Sequence, residues 1–187
     1  MPASETGRKG PPAEQWALLV YTVPATPSRK RAAVWREVKH LGALYLRDGV
    51  CVLPDTAAAR AALEALGRQV MELGGRCTMV WQAQLAAERV EALLGELAQA
   101  RQAEYADIGA AAADLLHHLQ QEAQHHGLAR AERVSLLADL KRLERWLGQI
   151  GARDYLHDGD PAAVAATLAA CRAELESGMG PSNRLSS

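Results

Sequence analysis

The chain has 187 residues, 49% of them apolar, with 21 Lys/Arg against 22 Asp/Glu; it is large enough for one domain plus an extension and apolar enough to bury a core. Its three cysteines, Cys51, Cys77 and Cys171, form an odd set with no CxxC pair, which argues against a disulfide framework and points to reduced thiols. Residues 1–14 (MPASETGRKGPPAE) lack the apolar centre of a secretory signal, and no run reaches the ~18 apolar residues of a membrane span, so the expected compartment is the cytoplasm.

Residues 1–14 are expected to be a disordered leader. WALLVYTV (16–23) then forms a continuous apolar run ended by Pro24, which predicts a strand covered on both faces. Trp16, Leu18 and Val20 point to one face, and Ala17, Leu19 and Tyr21 to the other. A helix is predicted over 29–41, with Val34, Val38 and Leu41 at helical spacing, Trp35 on the edge of that stripe, Ser28 as N-cap and Gly42 as the stop. ALYLR and VCVLP flank Asp48-Gly49, a strong hairpin signal. Asp55-Thr56 caps a second helix with the stripe Ala59, Leu63, Leu66, Val70 and Leu73, stopped by Gly74-Gly75. TMVWQAQ (78–84) is a fourth strand. This order predicts an α+β fold, the ferredoxin-like split βαβ (βαββαβ): a four-stranded antiparallel sheet over residues 15–84 with two helices on one face. A second protomer or the later helices must cover the other.

Residues 85–176 read as helical and 177–187 as a disordered tail. The first long helix (85–126) has Leu97, Tyr105, Ile108, Ala112, Leu115 and Leu119 on one side, Gly95 and Gly109 as points of bending, and Gly127 as its end. The next, from about 129 to 149, carries Leu136, Leu140, Leu143, Leu147 and Ile150 as a seam of alternating four- and three-residue steps, so the two form an antiparallel hairpin. After the loop GARDYLHDGD, Asp160-Pro161 opens a last helix with Val164, Leu168, Cys171 and Leu175 buried.

Charge is unevenly divided. Residues 1–60 hold nine Lys/Arg and five Asp/Glu, and the remainder twelve and seventeen, which points the front part toward an anionic partner. The first turn of the first helix is Arg29-Lys30-Arg31, placed against the helix macrodipole. Arg36 lies opposite the apolar stripe together with Arg29, and Lys39 lies between Trp35 and Arg36. Cations converging with free first-turn amides favour phosphate or another anion, so Arg29, Lys30, Arg31, Arg36 and Lys39 are the candidate contacts for DNA or an oxyanion. HHLQQEAQHH (117–126) places His118, Glu122 and His126 at i, i+4 and i+8, weak candidates for a shared metal ion. No catalytic constellation, P-loop, GxGxxG or helix-turn-helix stands out, so no enzyme activity and no cofactor is expected.

WALLVYTVPATPSRKRAAVWREVKHLGALYLRDGVCVLP resembles the N-terminal domain family of the chromate-resistance regulator ChrB. The resemblance rests on Trp16 to Leu19, Val23 to Ser28, Val34 to Arg36, Leu41 to Ala43 and Val52 to Pro54, and extends through Glu104-Tyr105 and Ala152-Arg153-Asp154-Tyr155 to about residue 176. It implies a DNA-binding transcriptional regulator that responds to chromate and is related to ferredoxin-like repressors and to small CRISPR-associated nucleases; a homodimer is the expected assembly. Those nucleases carry a metal-binding Asp at the end of the first strand, where this chain has Thr22-Val23-Pro24. Family members also continue into a C-terminal domain, so the resemblance leaves two expectations for this chain: DNA binding without chromate sensing, or a separately encoded partner. The rival expectation is a non-DNA accessory protein that binds a metal or chromate, or whose leucine seam receives a partner helix.

Overall fold

The computed structural model describes residues 15–125, 129–157 and 159–177. The expected leader, the tail beyond 177 and the stop at Gly127 lie outside them. Nine elements follow in chain order among the described residues: β1 (Trp16–Thr22), α1 (Ser28–His40), β2 (Leu44–Arg47), β3 (Val50–Pro54), α2 (Ala57–Glu72), β4 (Arg76–Ala83), α3 (Ala87–His125), α4 (Arg130–Ala152) and α5 (Pro161–Ser177). The strands form one antiparallel sheet in the order β2-β3-β1-β4, the ferredoxin-like arrangement that the element order predicts.

Two compact units make up the chain. One takes the residues through Ala100 and the segment beginning at Arg153; the other takes Arg101–Ala152 and the chain from Gly159.

In the sheet unit, β1 is central and its two faces serve two cores. Ala17 and Leu19 pack with Val34 and Val38 of α1 and with Ala59, Leu63, Leu66 and Val70 of α2, all of them buried. Trp16, with Val52 of β3, packs on the opposite face against Leu93, Leu94 and Leu97. The first turns of α3 therefore cover the face that the βαββαβ unit leaves open. Each large apolar side chain so buried contributes about 1.5–3 kcal/mol, which explains why a strand covered on both faces reads as an unbroken apolar run.

The loops follow the local chemistry. Gly49 sits at φ +72 in the hairpin turn, where its carbonyl accepts from the Tyr21 amide at 2.7 Å; an added Cβ would lie 2.5 Å from the Tyr21 carbonyl oxygen. Thr56 caps α2 by accepting from the Ala59 amide at 3.1 Å. Ser28 differs from expectation. The Pro27 carbonyl accepts the Lys30 amide at 3.1 Å, so α1 already begins at Ser28, and Pro27 is the N-cap with no side-chain cap bond.

In the helical unit, Tyr105, Ile108, Ala112, Leu115 and Leu119 of α3 share one core with Leu136, Leu140, Leu143 and Ile150 of α4 and with Val164, Leu168, Cys171 and Leu175 of α5. The leucine seam is thus filled by the protein's own helices, which removes the partner-helix version of the rival reading. α3 runs unbroken through Gly95 and Gly109. Its stripe divides: Leu97 belongs to the sheet-unit core, and the residues from Tyr105 onward belong to the helical one.

Candidate nucleic-acid interface

α1 lies on the sheet through Val34 and Val38, and this fixes where its cations go. Arg29, Arg36 and Lys39 are exposed on the side away from that stripe. Arg36 Nε also donates to the Ala32 carbonyl at 3.3 Å. Lys30 and Arg31 flank the stripe on opposite sides. Lys30 turns toward α2, where its Nζ donates to the Leu73 carbonyl at 2.8 Å. A cation on the last carbonyls of a helix complements the negative end of its dipole. Lys30 therefore stabilises the end of α2 while opposing the dipole of α1, and this is one reason a basic first turn is tolerated.

Arg31 turns the other way. With Trp35 it forms one wall of an open cleft of about 610 Å³, whose other side is Tyr21, Tyr45 and the turn at Asp48. The Tyr21 and Tyr45 hydroxyls share a hydrogen bond of 2.8 Å. Burial, above all, pushes both phenols up from their ordinary value, so they stay neutral donors and acceptors at physiological pH. Trp35 is 53% exposed, a large aromatic surface left in water one helical turn from the exposed Arg31.

Pro27, the N-cap of α1, gives the first turn no side-chain cap bond, and no acidic residue lies in that turn. At the same end of the sheet, Arg76 pairs with Thr22, the last residue of β1, and Arg47 ends β2 beside the Asp48-Gly49 turn; both are exposed. The sequence reading missed these two arginines. They have no local motif, and only the strand register brings them to that end.

Comparison with known proteins identifies the family. The family model described as "Protein ChrB, N-terminal" matches residues 31–179. The chain belongs to this family. Protein ChrB of Cupriavidus metallidurans is similar to it at 38% identity over 69 residues, 37% of this chain and 21% of that protein. The match therefore spans about a fifth of the relative's length. No solved structure matches.

The residues that carry the ChrB-family likeness divide by role. Trp16, Val34, Val52 and Leu53 are fully or nearly fully buried and build the sheet unit. The Arg153-Asp154-Tyr155 segment returns to the same unit, where Tyr155 Oη donates to the Leu41 carbonyl at 3.2 Å and Arg153 to the His40 carbonyl at 3.4 Å. That segment closes the C-terminal end of α1. Trp35 and Arg36, in contrast, face solvent. Packing does not account for them, so they remain available to a ligand.

The weak metal candidates fare differently. His118 and Glu122 lie one turn apart on α3, and His126 is outside the described residues. Glu132 of α4, which sequence spacing gives no reason to pick, joins them. Cys51 and Cys171 are buried and Cys77 half-buried, all as free thiols. Burial pushes the Cys51 thiol up to about 12, so it is an inert core group. Among the described residues, no helix is long and apolar enough to cross a membrane.

Proposed function

We propose that this protein is a cytoplasmic DNA-binding regulator of chromate-resistance genes, working as a homodimer and binding DNA rather than catalysing a reaction on it. The observation that carries this reading is the exposed surface of α1, on which Arg29, Arg31, Trp35, Arg36 and Lys39 all face solvent. Family membership supports it, because the chromate-linked role is what the ChrB resemblance implies. A 13-residue helix is about 20 Å long, suited to lie along a DNA groove with its cations on phosphates. Such contacts supply affinity and orientation, and base-edge or shape contacts supply sequence preference. The Arg31 cleft and the uncapped first turn would also accept an oxyanion, so chromate and DNA would compete there. Val20 and Val80, 41% and 40% exposed, offer apolar surface for pairing of protomers.

The test is fluorescence anisotropy of a labelled duplex taken from upstream of the protein's own gene, titrated at several salt concentrations with and without chromate. Four phosphate contacts per protomer predict a log–log salt slope of about −3 to −4 per protomer. Arg31→Ala with Arg36→Ala should weaken binding to every duplex and flatten the slope by about two. An unchanged slope would remove these residues from the interface. Affinity no tighter than the ~10⁻⁴–10⁻⁶ M of non-specific binding would reject the regulator reading.

A further inference from the structure

His118 and Glu122 of α3 and Glu132 of α4 converge although 10 residues separate the last two in sequence. One nitrogen or oxygen from each lies within 4.8 Å of the others, and His118 Nε2 is 3.7 Å from Glu132 Oε1. Two carboxylates this close repel one another. Among the described residues, no lysine or arginine forms an ion pair with either of them; the recorded partner of Glu132 is the imidazole. The half-buried setting of all three leaves their side chains room to adjust without leaving them fully solvated.

We propose that this trio is a divalent transition-metal site that ties α3 to α4. Metal–nitrogen and metal–oxygen bonds of about 2.0–2.2 Å put tetrahedral ligand atoms roughly 3.4 Å apart. The His118–Glu132 separation is already close to that, and the remaining gap is within the reach of a side-chain rotation. One imidazole and two carboxylates suit Zn²⁺ and its first-row neighbours; the imidazole disfavours Mg²⁺ and Ca²⁺, and the lack of a thiolate disfavours softer ions. Three protein ligands leave a position open for water or an anion, as in sites that are not purely structural. A cation here neutralises the paired carboxylates and cross-links two helices through residues that the hydrophobic seam does not use.

Calorimetric titration of the untagged, chelator-stripped full chain with ZnCl₂ tests the site. One Zn²⁺ per chain is expected, with an affinity lowered about tenfold or more by Glu132→Gln or His118→Gln. His117→Gln, whose imidazole instead contacts Gln121 at 2.9 Å on the exposed side, should bind as the parent does. A second readout needs no substitution: the His118 imidazole NMR signals should shift on Zn²⁺ addition while those of His117 stay in place. Zn²⁺ affinity unchanged by Glu132→Gln, an unmoved His118 signal, or no heat at millimolar Zn²⁺ would overturn the proposal.

Discussion

Single side chains in this protein often hold two elements at once. Asp55 is the clearest case. Its carboxylate accepts from Arg60 Nη2 at 2.9 Å and from the Gln82 amide at 2.7 Å, and its side chain is 1% exposed. It joins the start of α2 to the end of β4, where Gln82 takes a positive φ of 56. Arg60 then lies over the Trp81 ring, 5.6 Å from its centroid. The Arg60 hydrogen bonds, and secondly the Gln82 amide, hold the Asp55 carboxyl below its ordinary value against the opposing effect of burial. Because the folded value is depressed, Asp55 contributes its full stabilisation above the ordinary 3.8 and loses it as pH falls through the lower folded value. Asp55→Asn should cost about 1–3 kcal/mol at pH 7, the worth of hydrogen bonds to a buried charge. Urea unfolding of parent and variant should give curves that converge as the pH drops below 3.8; a gap constant with pH would mean that the charge is irrelevant.

At the scale of elements, the approach of α2 to β4 depends on one residue without a side chain. Gly67 is buried in the middle of α2, an expensive place for glycine by helix propensity. A Cβ there would lie 2.5 Å from Met79 Cε and 3.2 Å from Cys77 Sγ. The Cys77 thiol also donates to the Gly67 carbonyl at 3.6 Å. Glycine lets the helix backbone rest directly on the strand, and packing outweighs propensity. Gly67→Val should destabilise by about 1–3 kcal/mol through overpacking, measured as a lower denaturation midpoint. A neutral or raised midpoint would show that Met79 and Cys77 move aside freely.

At the scale of the whole molecule, the sheet unit draws its second core from beyond the βαββαβ sequence. Leu93 of α3 is fully buried against the Trp16 face. Leu93→Ala should therefore cost about 2–5 kcal/mol and speed hydrogen exchange of the β1 and β3 amides, although it lies outside residues 15–84. If exchange in the sheet were unaltered, the unit would be closed without α3. The helical unit has its own core around Leu140 and Ile150, against which the half-buried Leu147 packs.

Sequence alone determined the elements that depend on neighbours along the chain. The unbroken apolar run of β1, the Asp48-Gly49 turn, the Thr56 cap and the stripes of α2 and α5 are local signals, and their order was enough to give the ferredoxin-like sheet. It also located the basic helix, because one-sided charge is readable from a 3.6-residue period. Tertiary structure decided what comes from chain segments far apart. It sent Lys30 to the end of α2 and Arg31 into the cleft, since the two sides of a helix meet different neighbours. It brought Arg76 beside Thr22 by strand register, set Glu132 next to His118, and assigned Leu97 and Tyr105, on one stripe of one helix, to different cores. A periodic pattern states which face of an element will be buried; only the packed chain states what that face is buried against.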